Sequence, residues 1–411
     1  MKILYLLILL LPIAEVAVAT TLVVGKHKRF ESVQEAIRVA HDGDTVLVYA
    51  GIYKEGNIII NKTLRLIGID NPVLDGEQKY EILSVKADNV VVKGFTIKNS
   101  GYSTLNDPGG IKIYDSNGVL IENNILENNF FGIYIQYGKN CIVRNNKLTA
   151  YATEEQKIGN GIHCWKSDSL LIIGNKIKGH RDGIYFEFVS NSLIWRNISN
   201  FNIRYGLHFM FSNTDAYIAN IFEANGAGVA VMYSKSVLMY NNVFKNNWGE
   251  AAYGILLKEI SDGEIIGNSF LANTAALYLE GANRMKVEKN QFKRNGWGLK
   301  IQASCMDNSI AYNNFIGNTF DISTNGMLVL NTFNENYWDK YQGYDLNKDN
   351  YGDVPYHPLS LFAVITEKNP VTMILFRSFM VELLDKSEKM LPSLTPVEFV
   401  DNKPAMTHHH L

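Results

Sequence analysis

A short apolar segment opened by glycine recurs along most of this chain. The starts are Gly110, Gly132, Gly161, Gly183, Gly206, Gly228, Gly254 and Gly298, with Ala276 filling the one gap. The steps are 22, 29, 22, 23, 22, 26, 22 and 22 residues, the long ones carrying insertions near Tyr151–Ile158 and Gly249–Tyr253. Fourteen residues after each of the first eight starts stands an asparagine: Asn124, Asn146, Asn175, Asn197, Asn220, Asn242, Asn268 and Asn290. In the ninth unit the equivalent is read as Asn314, sixteen after Gly298, which implies two extra residues near Cys305-Met306-Asp307. Two residues past the asparagine the side chain is apolar, as in Leu126, Leu148, Ile177, Phe222, Phe244, Phe270 and Phe292, with Ser199 the exception. Positions +1 and +3 are apolar too, for example Leu207/Phe209 and Val229/Val231. Period-two alternation means strands with one buried face.

A 22-residue unit is too short for a strand–helix–strand crossover, which needs roughly 30 residues. It suits one coil of a parallel β-helix, stacked at about 4.8 Å. The L-x-x-L-x-L frame of leucine-rich repeats of similar period is not kept. Of 44 asparagines, 42 lie between Asn57 and Asn350, a density that predicts a turn used again and again, its side-chain amides forming a ladder. Four consecutive phenylalanines are expected to stack inside.

The ends differ from the repeat, as capping units must. Residues Phe30–Ala40 carry a helical apolar pattern and are read as an N-terminal cap helix. The repeat stops near Trp338, residues 339–368 read as a cap loop, and Asn369-Pro370 reads as a helix start. Residues 371–391 then look helical. Arg377, Glu382, Asp385 and Lys386 make that stretch too polar to cross a membrane. Its apolar content exceeds what the last coil can cover, so 369–411 is expected to be a docking tail using Phe376, Phe379, Met380, Leu383 and Leu384. At the other end Lys2, the apolar run Ile3–Leu11 and Ala17-Val18-Ala19 fit a secretory signal over residues 1–19. The β-helix body with its N-terminal cap then covers 20–338. Three cysteines without a CxxC are read as free, buried thiols rather than a disulfide framework. A formal net charge of −2 gives no electrostatic footprint for nucleic acid.

If +1 and +3 point in, +2 and +4 point out. The +2 stripe runs Lys112, Tyr134, His163, Tyr185, His208, Ala230, Leu256, Tyr278, Lys300; the +4 stripe runs Tyr114, Gln136, Trp165, Glu187, Met210, Met232, Lys258, Glu280, Gln302. Outward methionines on neighbouring coils are unexpected. Met210 and Met232 should lie about 5 Å apart, with His208 roughly 7 Å along the same strand and Glu187 one coil earlier. Thioethers with an imidazole suit copper, Cu(I) above all. Without metal the same patch reads as a greasy contact surface. Met239, Met285, Cys141 and Cys164 fall in inward columns. A second pattern, Asp345, Asn347, Asp349, Tyr351 and Asp353, has the spacing of a calcium loop, with Asp345, Asn347, Asp349 and Asp353 as candidate ligands. The loop glycine and the final glutamate are missing, so the alternative is an Asx-rich turn.

Enzyme chemistry finds little here. The stripe's two carboxylates, Glu187 and Glu280, are four coils apart, about 19 Å, whereas paired glycosidase carboxylates need about 5–10 Å. No G-x-S-x-G, H-E-x-x-H or phosphate loop occurs. The chain therefore reads as a non-enzyme. The alternative is a carbohydrate-binding or carbohydrate-active β-helix using the aromatic stripe Tyr114, Tyr134, Trp165, Tyr185.

Several segments carry a specific resemblance: GHRDGIYFEF (179–188), YGLHFMFS (205–212), NGAGVAVMYS (225–234), GWGLKIQASC (296–305), NYWDKYQGYDLNKDNYGDVPYHPLSLF (336–362) and SLTPVEFVDNKPAM (393–406). Together they resemble the NosD family, periplasmic accessory proteins of nitrous oxide reductase maturation. The resemblance implies a right-handed parallel β-helix exported to the periplasm and membrane-associated only through partners. Those partners would be an ABC transporter of NosF and NosY type, a NosL-type copper chaperone, and the reductase whose copper centre is supplied with copper or sulfur. It also raises the copper reading of His208, Met210 and Met232.

Overall fold

The computed structural model describes residues 19–103, 105–151, 154–326, 330–376, 378–390 and 399–411. The leader read at 1–19 lies outside them, apart from Ala19. Among the described residues 39 strands form three sheets of 14, 12 and 13 strands. Every strand pairs in parallel with its counterpart one coil away, so the chain is the parallel β-helix that the repeat predicts.

The glycine column has a packing cause. A Cβ on Gly206 would meet the Gly228 carbonyl oxygen at 2.7 Å and Phe222 Cδ1 at 2.8 Å, and Ala276 is fully buried at the one place a methyl is tolerated. The bend before each ladder asparagine needs positive φ, which Gly174 and Gly267 supply in two units and non-glycine residues in the others, among them Asn145 (56°), Arg196 (54°) and Ala219 (54°). Each such residue costs roughly 1–2 kcal/mol, which the asparagine behind it offsets. The Asn242 side-chain amide donates to the Tyr217 carbonyl (2.9 Å) and to Asn268 Oδ1 (3.0 Å). Its Oδ1 accepts from the backbone N–H (2.9 Å) and the side-chain amide (3.0 Å) of Asn220.

This ladder runs unbroken from Asn124, but in the ninth unit it passes through Asn313, not Asn314. The insertion there is one residue, because the turn after Ile301 absorbs only one. Asn336 follows, and Asp401 then takes the next rung, its Oδ2 accepting from the Asn336 side chain (3.0 Å) and from Trp338 Nε1 (3.1 Å). A second ladder, five residues further along each coil, links Asn202, Asn225, Asn247, Asn273, Asn295 and Asn318. The phenylalanine stack exists and is longer than expected. Phe222, Phe244, Phe270, Phe292, Phe315 and Trp338 follow one another at 4.2–5.4 Å between ring centres. Cys141, Cys164 and Cys305 are free and buried, and Met239 and Met285 are core.

Both ends are capped. Helix α1 (Val33–Val39) seats Val33, Ala36 and Ile37 on the first coils, with Ser32 Oγ accepting from the Glu35 amide. At the other end the region read as a cap loop contains a helix, α2 (Leu361–Lys368), started by the Ser360 side chain. Its Glu367 meets Lys300 at 2.9 Å and accepts from Ser323 at 2.8 Å, which seats α2 on the last strands of the 12-stranded sheet. The single helix expected over 371–391 is two pieces: a 3-10 turn at Pro370–Leu375, and α3 (Phe379–Met390). Phe376, at ψ 130°, is extended and breaks the run. Nor is 369–411 one tail. Residues 401–406 are stitched to the last coils through Asp401, which pairs with Phe333 and Tyr356, and Ala405, which pairs with Tyr337 and Tyr351.

Candidate functional site

The outer face of the 12-stranded sheet carries the two stripes that alternation predicts. Register sets Glu187 beside Met210 and Met210 beside Met232 on three consecutive strands. Trp165 precedes this row. Lys258 follows it, paired with Glu280 at 3.0 Å. All five are half-buried and reach solvent.

The +2 row differs from expectation. It lies outside the sheet yet much of it is sealed: Lys112, Tyr134, His163, His208, Ala230 and Leu256 are all buried. The strand spacing equals the thickness at which rings pack, so successive side chains cover one another. Ring centres run Tyr134–His163 4.4 Å, His163–Tyr185 4.8 Å and Tyr185–His208 4.9 Å. Tyr205 closes over His208 at 4.7 Å. Burial holds His163 down to about 3, and the ring accepts no charge there.

His208 therefore sits differently from the methionines. Its Nδ1 is 3.5 Å from Asp182 Oδ2, and Asp182 also faces Arg204 Nε at 3.6 Å. Asp182 and Tyr205 both precede the strand starts, so the imidazole leans towards them, away from Met210. Neither ring nitrogen makes a well-formed hydrogen bond. The arrangement is a sealed row with one imidazole, beside an open row with two thioethers and a carboxylate.

A third row was not read from the sequence. At +5, Phe188, Phe211 and Tyr233 are exposed by 46, 40 and 43 %. They stack face to face at 5.1 Å between neighbours. All three have positive φ, which turns each ring out of the strand and alongside the methionine row. The signal was there in writing out the +5 column, where three aromatics fall in successive units.

The loop at 345–353 closes on itself. Asp345 Oδ1 accepts from the Lys348 (2.6 Å) and Asp349 (3.2 Å) amides and its Oδ2 from that of Asn350 (2.9 Å). Asp353 accepts from the Leu346 amide (2.6 Å), and Asn347 Oδ1 from that of Asp349 (3.0 Å). These oxygens face amide donors, the geometry of an Asx-rich turn, and calcium finds no support. Among the described residues no group of three or more His, Cys, Asp or Glu converges, and no helix is long and apolar enough to cross a membrane.

The tail residues divide. Phe379, Met380 and Leu383 are exposed by 77, 64 and 47 %, joined by Val371, Ile374 and Leu375 of the preceding turn. Phe376 and Leu384 instead pack against the core, Phe376 lying 6.2 Å from Phe320 between ring centres.

The fold defines the class, a right-handed β-helix protein. A family model described as "Right handed beta helix region" matches residues 38–159, and one described as "Periplasmic copper-binding protein (NosD)" matches residues 148–351. The chain belongs to the NosD family. It is 26 % identical over 388 residues to the probable ABC transporter binding protein NosD of Pseudomonas aeruginosa, covering 89 % of both chains. It is 25 % identical to the protein of that name from Stutzerimonas stutzeri, covering 87 % of this chain and 85 % of that one. Among solved structures it resembles the catalytic unit of an α-1,3-glucanase from Streptomyces thermodiastaticus (12 % identity, 74 % of this chain and 65 % of that one, TM-score 0.59). It also resembles the Streptococcus pneumoniae adhesin PfbA (13 %, 71 % and 88 %, 0.52). These likenesses concern the fold.

Proposed function

We propose that this chain is an exported, periplasmic, non-enzymatic copper carrier that works with an ABC transporter. Copper is its cargo, held in passing by Met210, Met232 and Glu187, with His208 supplying a nitrogen when its ring turns from Asp182. The observation that carries the reading is the in-register row Glu187–Met210–Met232 on the outer face of a NosD-family β-helix. Thioethers are soft, neutral donors suited to Cu(I), and a half-open row suits release better than a closed cage. The transporter association is supported by the names of the relatives. The apolar surface of the 3-10 turn and α3, with Phe379, Met380 and Leu383 at its centre, is the proposed transporter contact. We infer further that a NosL-type chaperone loads the row, that nitrous oxide reductase receives the copper, and that residues 1–19 direct export.

The carbohydrate alternative is weakened because two of the four rings it needs, Tyr134 and Tyr185, are covered by their neighbours. Tyr134 is 8 % exposed, and Tyr185 is covered on both sides by imidazoles. Neither offers a free ring face to a sugar.

The decisive experiment is Met210→Leu with Met232→Leu, which keeps the apolar area and removes both sulfurs. Cu(I) binding and copper loading of the client should fall while the variant still co-purifies with the transporter. His208→Ala should weaken Cu(I) binding less than the methionine pair does. Wild-type loading in the double variant would sink the copper assignment. Separately, Phe379→Ser with Met380→Ser and Leu383→Ser should abolish co-purification with the permease and leave Cu(I) binding intact. Truncation at Asn369 would also delete the Asp401 cap, so substitution is the cleaner probe.

A further inference from the structure

The final stretch of chain brings two imidazoles together at a place the thioether row does not use. We propose that His408 and His410 form an exposed binding site for a borderline divalent transition ion, Cu²⁺ foremost. It would be distinct from the site on the 12-stranded sheet.

The backbone here is held. Ala405 N–H donates to the Asn336 carbonyl and Met406 N–H to that of Asn350, both at 2.9 Å. His409 exchanges two 2.9 Å bonds with the Asn314 side chain, donating its N–H to Oδ1 and accepting from Nδ2 at its carbonyl. Its own ring is engaged, Nε2 donating to the Glu335 carbonyl at 2.7 Å. This explains why Asn314 sits beside the ladder without belonging to it. With His409 turned inward, its neighbours on either side are turned outward.

His408 and His410 are both exposed. Their ring centres are 5.4 Å apart at an interplanar angle of 58°. With metal–nitrogen bonds of about 2.0–2.1 Å, ring centres lie roughly 3.2 Å from the metal, so two imidazoles at 90–109° are about 4.5–5.2 Å apart. The observed pair is within a small side-chain adjustment of that. Neither ring takes part in a hydrogen bond among the described residues, so no bond must be broken for the metal. Imidazole nitrogen suits Zn²⁺, Ni²⁺ and Cu²⁺, and affinity along that series peaks at Cu²⁺. Two protein ligands leave open positions for water, which keeps the ion exchangeable.

The site is remote from the methionines. His409 is fixed against the strand Asn314–Ile316 of the 13-stranded sheet, whereas Met210 lies on the 12-stranded sheet several coils earlier. Between four and five strand spacings separate the two levels, about 20 Å along the stack. The ligand chemistry also differs: nitrogen for the oxidised ion here, sulfur for the reduced ion there.

The test uses the full chain without an affinity tag, titrated with Cu²⁺ alone and read by calorimetry and electron paramagnetic resonance. One ion per chain should bind with two-nitrogen hyperfine structure. His408→Ala and His410→Ala should each lower affinity by at least the ~10-fold that losing even an outer-shell partner costs. His409→Ala should leave affinity essentially unchanged. In a loose run of histidines any two would serve, so the three single substitutions would weaken binding alike. That equal pattern, or wild-type Cu²⁺ affinity in the His408→Ala/His410→Ala double variant, overturns the proposal. Neither result bears on the Cu(I) assignment.

Discussion

The turn that holds the asparagine ladder and the outer face of the 12-stranded sheet are built on the same coils, yet they obey opposite rules. Along the turn one residue type repeats from Asn124 to Asn336, because each amide needs an identical neighbour to complete its bonds. On the outer face a single row runs Trp165, Glu187, Met210, Met232, Lys258, where only the two methionines repeat a residue type. In a solenoid, repetition marks what every coil requires of its neighbour. Departures from repetition mark what only one place requires. The methionine pair and the exposed aromatic ridge are such departures.

That contrast can be broken at the repeating side first. Phe244 is fully buried between Phe222 and Phe270, so Phe244→Ala should cost about 3–5 kcal/mol in denaturant unfolding. Asn242→Ala removes an amide with four ladder bonds and strands the Tyr217 carbonyl and the Asn220 amide, for about 3 kcal/mol. In both variants the folded fraction should still bind Cu(I), and loss of binding at unchanged stability would erase the distinction between the two regions.

A smaller effect should have the opposite sign. Burial pushes the Asp215 carboxyl up to about 8, against roughly 3.9 when unfolded. Between those values the unfolded chain has released a proton that the folded chain retains, so stability falls as pH rises through that window. Asp215→Asn should therefore stabilise at pH 8 and do nothing below pH 4. Unfolding curves at the two pH values check this, and equal gains at both would contradict it. The smallest stability effect belongs to the outer face. Phe211→Ala, at 40 % exposure, should change stability by under about 1 kcal/mol. A larger loss would mean that the aromatic ridge is structural, like the ladder.

The sequence made the repeating region legible because period and residue type coincide there. Strand register, the inward cysteines and the stacked phenylalanines all follow from counting. The misreading of Asn314 for Asn313 shows where counting fails: two adjacent asparagines compete, and only the tail that binds Asn314 decides between them. The second ladder lay in plain view as Asn-x-x-x-x-Asn, but two units carry Tyr151 and His180 in its place and hid the column. Burial of the +2 row could not be counted at all. It arises from rings covering rings on successive coils, a property of side-chain volume and not of alternation. Helix α2 was missed because eight residues are too few for periodicity to stand out, and its Ser360 cap was the better sign.

The last rung has a consequence for how such a chain is completed. A growing stack exposes, at each stage, a fresh edge whose amides are ready to accept any matching strand, including one from another copy of the same chain. Asp401 ends that readiness with a carboxylate, which accepts bonds from Asn336 and Trp338 and offers no amide onward. The residue arrives 65 positions after the rung it closes. During synthesis the stack therefore stays open to misjoining until nearly all of it has emerged, and a single late side chain converts a polymerisable edge into a finished molecule.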